Sequence, residues 1–238
     1  MVALTRFSLS LARPGRMSAP MIVGGAIESR SASGYISATD ISGGGFVAIK
    51  YSNIVLGNRT PDAVRYWSML GAQLSGGQRS IIVPFLTDFW ANSGNPIRSS
   101  GIPHSDGSFF SDGAGYSQTN IPATLAVAAA VNANPVTINI QTGQLLYGGE
   151  WFSISHSDGY PRAYVVTDIV SQVVSSDGSS TSVVAIRPPL RRATVVNTPV
   201  KFDRPECTMK LKGGTYPTMD FSSYWWSTPE IDFIESFP

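Results

Sequence analysis

The residues with the greatest chemical potential are two histidines, His104 and His156, each followed directly by Ser-Asp-Gly. Histidine, serine and aspartate side by side invite comparison with a nucleophile, its base and the acid that orients the base. Their adjacency speaks against it, because neighbours in a tight turn cannot form that relay and its members normally come from distant segments. No Gly-x-Ser-x-Gly elbow accompanies them. Two histidines, the single cysteine Cys207 and no His-x-x-x-His spacing leave no zinc site. Asp106 and Asp112 lack the alternating carboxylates and bidentate glutamate of a calcium loop. Glu150 and Asp168 lie in one β-rich stretch, but nothing in the sequence brings them together as the paired acids of a glycosidase. Gly43-Gly44-Gly45 precedes a strand rather than a helix, the wrong context for cradling phosphate. The sequence predicts no catalytic residue, no metal and no cofactor.

The four Ser-Asp-Gly tripeptides, at 105–107, 111–113, 157–159 and 176–178, read as turns in which aspartate bonds its own backbone and glycine takes the left-handed position. The last two punctuate a stretch, 144–211, of short runs rich in β-branched and aromatic residues, the pattern of a small antiparallel barrel or sandwich. Alternation puts Trp151, Ser153 and Ser155 on one face and Phe152 and Ile154 on the other. Upstream, Leu4–Leu11 reads as a strand and 13–16 as a turn. A weak strand over 21–28 is interrupted at Gly24-Gly25, the mark of a bulge, and 29–45 reads as a loop with an extended piece near Tyr35. Phe46–Val55 is a strand. Thr60, Pro61 and Asp62 form a helix start, and Val64, Trp67, Leu70 and Leu74 form its apolar stripe, ended by Ser75-Gly76-Gly77. Arg79–Phe85 is a strand that Pro84 places at an edge or strand end. The segment 123–131 fits helix or strand, and 230–238 fits an edge strand with one wet face.

The expected fold is therefore mainly β: two small antiparallel domains, sandwich- or barrel-like, with one α-helix in the first. Residues 1–88 form the first domain with its helix at 60–74, 89–120 a Gly/Ser-rich connecting loop, and 121–211 the small barrel. The extension 212–238 packs back on the first domain or on a neighbouring copy. At 238 residues the chain can bury roughly 70 % or more of its unfolded surface without a staple. Only 14 % of residues are charged, which suggests either a hydroxyl-coated surface or one covered by partners. A net charge of +1 with no basic run excludes a typical phosphate-backbone binder. The N-terminus lacks the continuous apolar core of a signal peptide and no apolar run reaches transmembrane length, so synthesis in a cytoplasm is expected.

Several segments then fall into a recognisable order: the Pro-capped helix with Ala63-Val-Arg-Tyr-Trp67, the strand ending Val83-Pro-Phe-Leu86, the loop 103–116, Leu146-Tyr-Gly-Gly-Glu-Trp-Phe152, Ile186-Arg-Pro-Pro-Leu-Arg191 and Cys207-Thr-Met-Lys-Leu211. Together they resemble tail-tip proteins of long-tailed bacteriophages, of the distal tail protein kind, from about Ala63 to the end. The resemblance implies a non-enzymatic virion protein, made in the bacterial host cytoplasm. It also implies a homo-oligomeric ring, hexameric in such proteins, that joins the tail tube protein to the tip or baseplate hub proteins. The first domain would build the ring. The second is small, without the length of a large carbohydrate-binding insertion.

Candidate assembly residues are Trp67, Trp151, the segment Arg187, Pro188, Pro189, Leu190 and Arg191, and the pair Trp225 and Trp226. Tandem prolines cannot donate to a ladder, so the strand through Ile186 must stop there, and the arginines are expected to pair with carboxylates. Two rivals remain: a carbohydrate-binding module whose exposed aromatics stack on host-surface sugars, and a depolymerase working through a carboxylate pair.

Overall fold

The computed structural model describes residues 4–30, 33, 35–85, 106, 108, 111, 122–141, 145–214, 216–220 and 226–237. In chain order the strands are β1 (Pro14–Met17), β2 (Met21–Val23), β3 (Ala26–Arg30), β4 (Ile36–Asp40), β5 (Phe46–Ile54) and β6 (Leu56–Gly57), followed by helix α1 (Pro61–Leu74) and β7 (Ile81–Pro84). Then come β8 (Ala123–Leu125), β9 (Val136–Ile140), β10 (Trp151–Ser155), β11 (Pro161–Val174), β12 (Ser180–Arg187), β13 (Pro199–Lys201), β14 (Glu206–Leu211), β15 (Trp226–Ser227) and β16 (Ile231–Glu235). The protein is mainly β with one α-helix among the described residues, as the sequence predicts. Most of the expected loop 89–120, including His104, Asp112 and the aromatics Trp90, Phe109, Phe110 and Tyr116, lies outside the described residues.

Two sheets dominate. One is six-stranded and antiparallel, ordered β1-β5-β16-β14-β7, with β2 beside β1 on the same margin of β5. The other closes on itself as a barrel, β10-β11-β12-β9-β8-β13. Closure removes the free edges that short strands would otherwise expose.

The turn chemistry holds where it can be seen. Ser157-Asp158-Gly159 joins β10 to β11, with Asp158 Oδ1 accepting the Tyr160 N–H at 3.0 Å. Ser176-Asp177-Gly178 joins β11 to β12, with Asp177 Oδ1 accepting the Ser179 N–H at 2.9 Å. The 123–131 ambiguity resolves to strand: β8 is followed by a bridge between Ala129 and Thr194.

Several expectations are corrected. Leu4–Leu11 is no strand; only Arg6 forms a parallel bridge, to Ile82, and the chain then turns. The expected turn at 13–16 is largely strand β1, because its backbone groups pair with β5 rather than with each other. Gly24-Gly25 marks a change of sheet, not a bulge: β2 pairs with β5, whereas β3 turns away to pair with β4. Glu206–Leu211 belongs to the six-stranded sheet, between β7 and β16, and not to the barrel. Ile231–Glu235 has one half-exposed face but is no edge, because it inserts between β5 and β14.

Helix α1 begins where the sequence places it. The Thr60 carbonyl accepts the first helical bond from the Val64 N–H at 3.2 Å, while its hydroxyl turns to Gly57 instead of capping the helix. Trp67, Leu70 and Leu74 are buried against the sheet, joined by Ala63 and Tyr66, and Val64 is half-buried. That helix face, the inward residues of β5, β7, β14 and β16, and Phe7 make one core. A second core fills the barrel with Phe152, Ile154, Tyr164, Val166, Ile186, Leu190 and Phe202. The predicted alternation decides how the two meet. Phe152 and Ile154 point into the barrel, whereas Trp151 points out into the sheet core, edge-on to Phe85 at 5.8 Å.

Candidate functional site

The polar groups that converge most closely lie at the seam between the barrel and the six-stranded sheet. Strand β12 ends at Arg187, and Pro188 and Pro189 carry the chain out of the ladder, as expected. Leu190 drops into the barrel core, and its backbone exchanges hydrogen bonds with Asn132 and Ala133. This anchor aims Arg191 back at the sheet. Arg191 Nη1 donates to the Gly43 carbonyl at 3.0 Å, Nη2 donates to the Gly45 carbonyl, and Nη2 lies 3.4 Å from Glu235 Oε2. The Glu235 side chain is wholly buried and also accepts the Val47 N–H at 3.2 Å.

The glycine triplet thus serves as a docking strip rather than a phosphate cradle. Gly44 has φ +94°, and a Cβ there would sit 2.2 Å from Pro189 Cδ, so only glycine lets the proline approach. Asp40 shapes the strip by accepting from the Ser42 hydroxyl and N–H and from the Gly44 N–H, which holds its carboxyl below the ordinary aspartate range.

A second buried cation, Arg162, lies nearby. Its Nη1 donates to the Ser236 carbonyl, and its guanidinium sits 4.5 Å from the Phe237 ring centre, while that of Arg191 lies 5.3 Å from the same ring. Two guanidinium groups therefore pack against Phe237. Behind them the Arg191 N–H donates to Tyr164 Oη at 3.2 Å, and Tyr164 Oη lies 2.8 Å from His156 Nε2. Burial drives the His156 pKa down to about 4, so the ring is neutral at neutral pH and shares a single hydrogen bond with the tyrosine hydroxyl. Arg192 forms an ion pair of 2.7 Å with Asp158 in the first hairpin turn of the barrel.

The contacts of Arg191 and Arg162 tie the barrel to the six-stranded sheet, whereas those of Arg192 with Asp158 and of His156 with Tyr164 lie within the barrel part. The expected arginine–carboxylate pairing is present for Arg191 and Arg192, while Arg187 remains exposed. Trp67 is buried in the sheet core, its ring 5.1 Å from that of Tyr216. Trp151 is likewise core, so neither of these tryptophans is available to a partner. Trp226 is 52 % exposed on β15, and Trp225 lies outside the described residues. Glu150 is buried under its own turn, accepting the Tyr147 N–H at 3.1 Å, and burial raises its pKa to about 7; Asp168 is exposed. Among the described residues no group of three His, Cys, Asp or Glu side chains could hold a metal ion. No helix among them is long and apolar enough to cross a membrane.

Sequence reasoning missed Glu235 and Arg162. For Glu235 a signal existed: it follows Ile231 and Phe233 at two-residue spacing, which places a carboxylate on the buried face of its strand. Nothing local distinguished Arg162. No protein-family model and no curated protein matches this chain.

Proposed function

We propose that this protein is a non-enzymatic building block of the tail tip of a long-tailed bacteriophage, of the distal tail protein kind. Copies close into a ring through the part that carries the six-stranded sheet, between the tail tube and the tip hub, and the barrel stands outside the ring. The observation that carries the reading is the hairpin β3–β4. Its two strands pair with each other and with no other strand among the described residues, and Ile27 on it is 58 % exposed. A lone two-stranded hairpin is marginal in water, so such an arm gains most when a neighbour covers it. The order of segments that resembles the tail-tip proteins supplies the phage context, and a polar seam given over to structure is consistent with a part that catalyses nothing.

The test is assembly. Sedimentation velocity and negative-stain images of the purified chain should show closed rings of several copies, and gold-labelled antibody should mark the distal end of tails on particles that contain it. A chain that stays monomeric at every concentration while binding a host polysaccharide saturably, or releasing reducing ends from it, would overturn the proposal.

A further inference from the structure

A cavity of about 810 Å³ opens beside β7. Its apolar wall comes from Leu70 and Leu74 of α1 and from Ile81, and its rim carries Arg79 and Lys210. No aspartate or glutamate lines it, and neither cation forms an ion pair among the described residues. Gln73 adds a buried side-chain oxygen with no hydrogen-bond partner. The cavity is within the size of a specific binding site, and its chemistry asks for an apolar body with a negative group and a free N–H.

The protein carries a matching piece at the other side of the same sheet. The hairpin β3–β4 grows from the corner where β2 meets β5, at the margin opposite β7. On it Ile27 is exposed on one face and Glu28 on the other, and Glu28 makes no ion pair among the described residues. By sequence the segment 26–40 holds two acids, Glu28 and Asp40, against one base, Arg30, a net of −1. A projection at one margin and a complementary recess at the other are what a head-to-tail contact needs, and such a contact yields a ring when its rotation closes.

We infer that the hairpin β3–β4 of one copy seats in the α1–β7 cavity of the next, with Glu28 facing Arg79 and Lys210. This rests on the assembly reading above and names the surface and partner for it. Opposite charges across such a contact fix its register, and like charges placed there oppose it strongly.

Charge exchange tests it. Glu28→Lys, and separately Arg79→Glu with Lys210→Glu, should each raise the concentration needed for half-assembly by about tenfold or more. All three positions are exposed, so circular dichroism and melting should match the parent. Mixing the two variants should restore assembly, because each then meets a complementary partner at both of its contacts, and the triple variant should assemble alone. If the parent forms oligomers that both variants leave unchanged, this contact is wrong while the assembly reading stands. Variants that fail singly and are not rescued by mixing also overturn the pairing. A parent that never assembles overturns both.

Discussion

Burial shifts Glu150 and His156 in opposite directions, and their effects on stability should cancel over a defined pH window. The unfolded chain titrates Glu150 near 4.5 and His156 near 6.5, whereas in the fold they titrate near 7 and near 4. Glu150 favours the fold when protonated; that contribution is complete below 4.5 and is lost as pH rises through 7. His156 favours the fold when neutral; that contribution is complete above 6.5 and is lost as pH falls toward 4. Between 4.5 and 6.5 the unfolded chain holds one proton, on His156, and the folded chain also holds one, on Glu150. With no difference in bound protons the pair adds no pH slope there.

Single substitutions should expose the two slopes. In Glu150→Gln the glutamate contribution is lost while the histidine remains in both proteins, so stability relative to the parent should fall as pH is lowered from 7 to 4.5, by at most about 1.4 kcal/mol per unit and about 3 kcal/mol overall. In His156→Gln, which keeps a hydrogen-bonding group for Tyr164, the difference should run the other way, with stability relative to the parent rising by a similar amount as pH is lowered from 6.5 to 4. Urea unfolding at half-unit steps, read as variant minus parent, removes the contributions of all other groups. Flat differences in both variants, or slopes of the same sign, would refute the reasoning.

Other outcomes follow from the packing. Arg191→Met strands the wholly buried Glu235 with only the Val47 N–H and should lower the urea-derived stability by about 3–5 kcal/mol. Adding Glu235→Gln should recover part of that loss, whereas a loss below about 1 kcal/mol would mean the seam carries little. Gly71→Ala should raise intrinsic helicity yet lower the melting temperature, because a Cβ there would stand 2.9 Å from the Tyr216 ring and overpacking of that kind costs about 1–3 kcal/mol. A more stable variant would show that Tyr216 can move aside.

What could be read from the residues, and what could not, divides along a physical line. Patterns set by near neighbours were legible: the helix at 61–74, the Ser-Asp-Gly hairpin turns, the end of β12 at the prolines and the opposed faces of Trp151 and Phe152. Each depends on local sterics or on a two- or four-residue period. Which strand lies beside which was not legible, because alternation gives a strand its faces but not its neighbours. Met209-Lys-Leu211 alternates equally well in either sheet, and its place between β7 and β16 is decided by contacts with residues far along the chain. The seam is of this second kind. The glycine triplet and the Arg-Pro-Pro-Leu-Arg segment are both visible in the sequence, yet their meeting depends on Gly44 and Pro189, separated by most of the barrel.

Whether sheet and barrel unfold as one body follows from how they are joined. Trp151 belongs to a barrel strand by its backbone and to the sheet core by its side chain, and Ala163 of β11 lies in that same core. Arg191 adds a polar tie from the barrel side to Gly43, Gly45 and Glu235. Two independent joints of this kind should make the parent melt in one calorimetric transition whose van't Hoff and calorimetric enthalpies agree. Trp151→Ala opens a void in the sheet core while leaving the barrel interior filled, so it should lower that transition by about 3–5 kcal/mol without splitting it, the arginine tie being intact. Only Trp151→Ala combined with Arg191→Met should separate two transitions, the barrel melting apart from the sheet. Two peaks in the parent would mean that the shared core does not couple them. The barrel's angle to the sheet would then be set by linkers, and a ring built on the sheet could not hold its barrels in fixed positions.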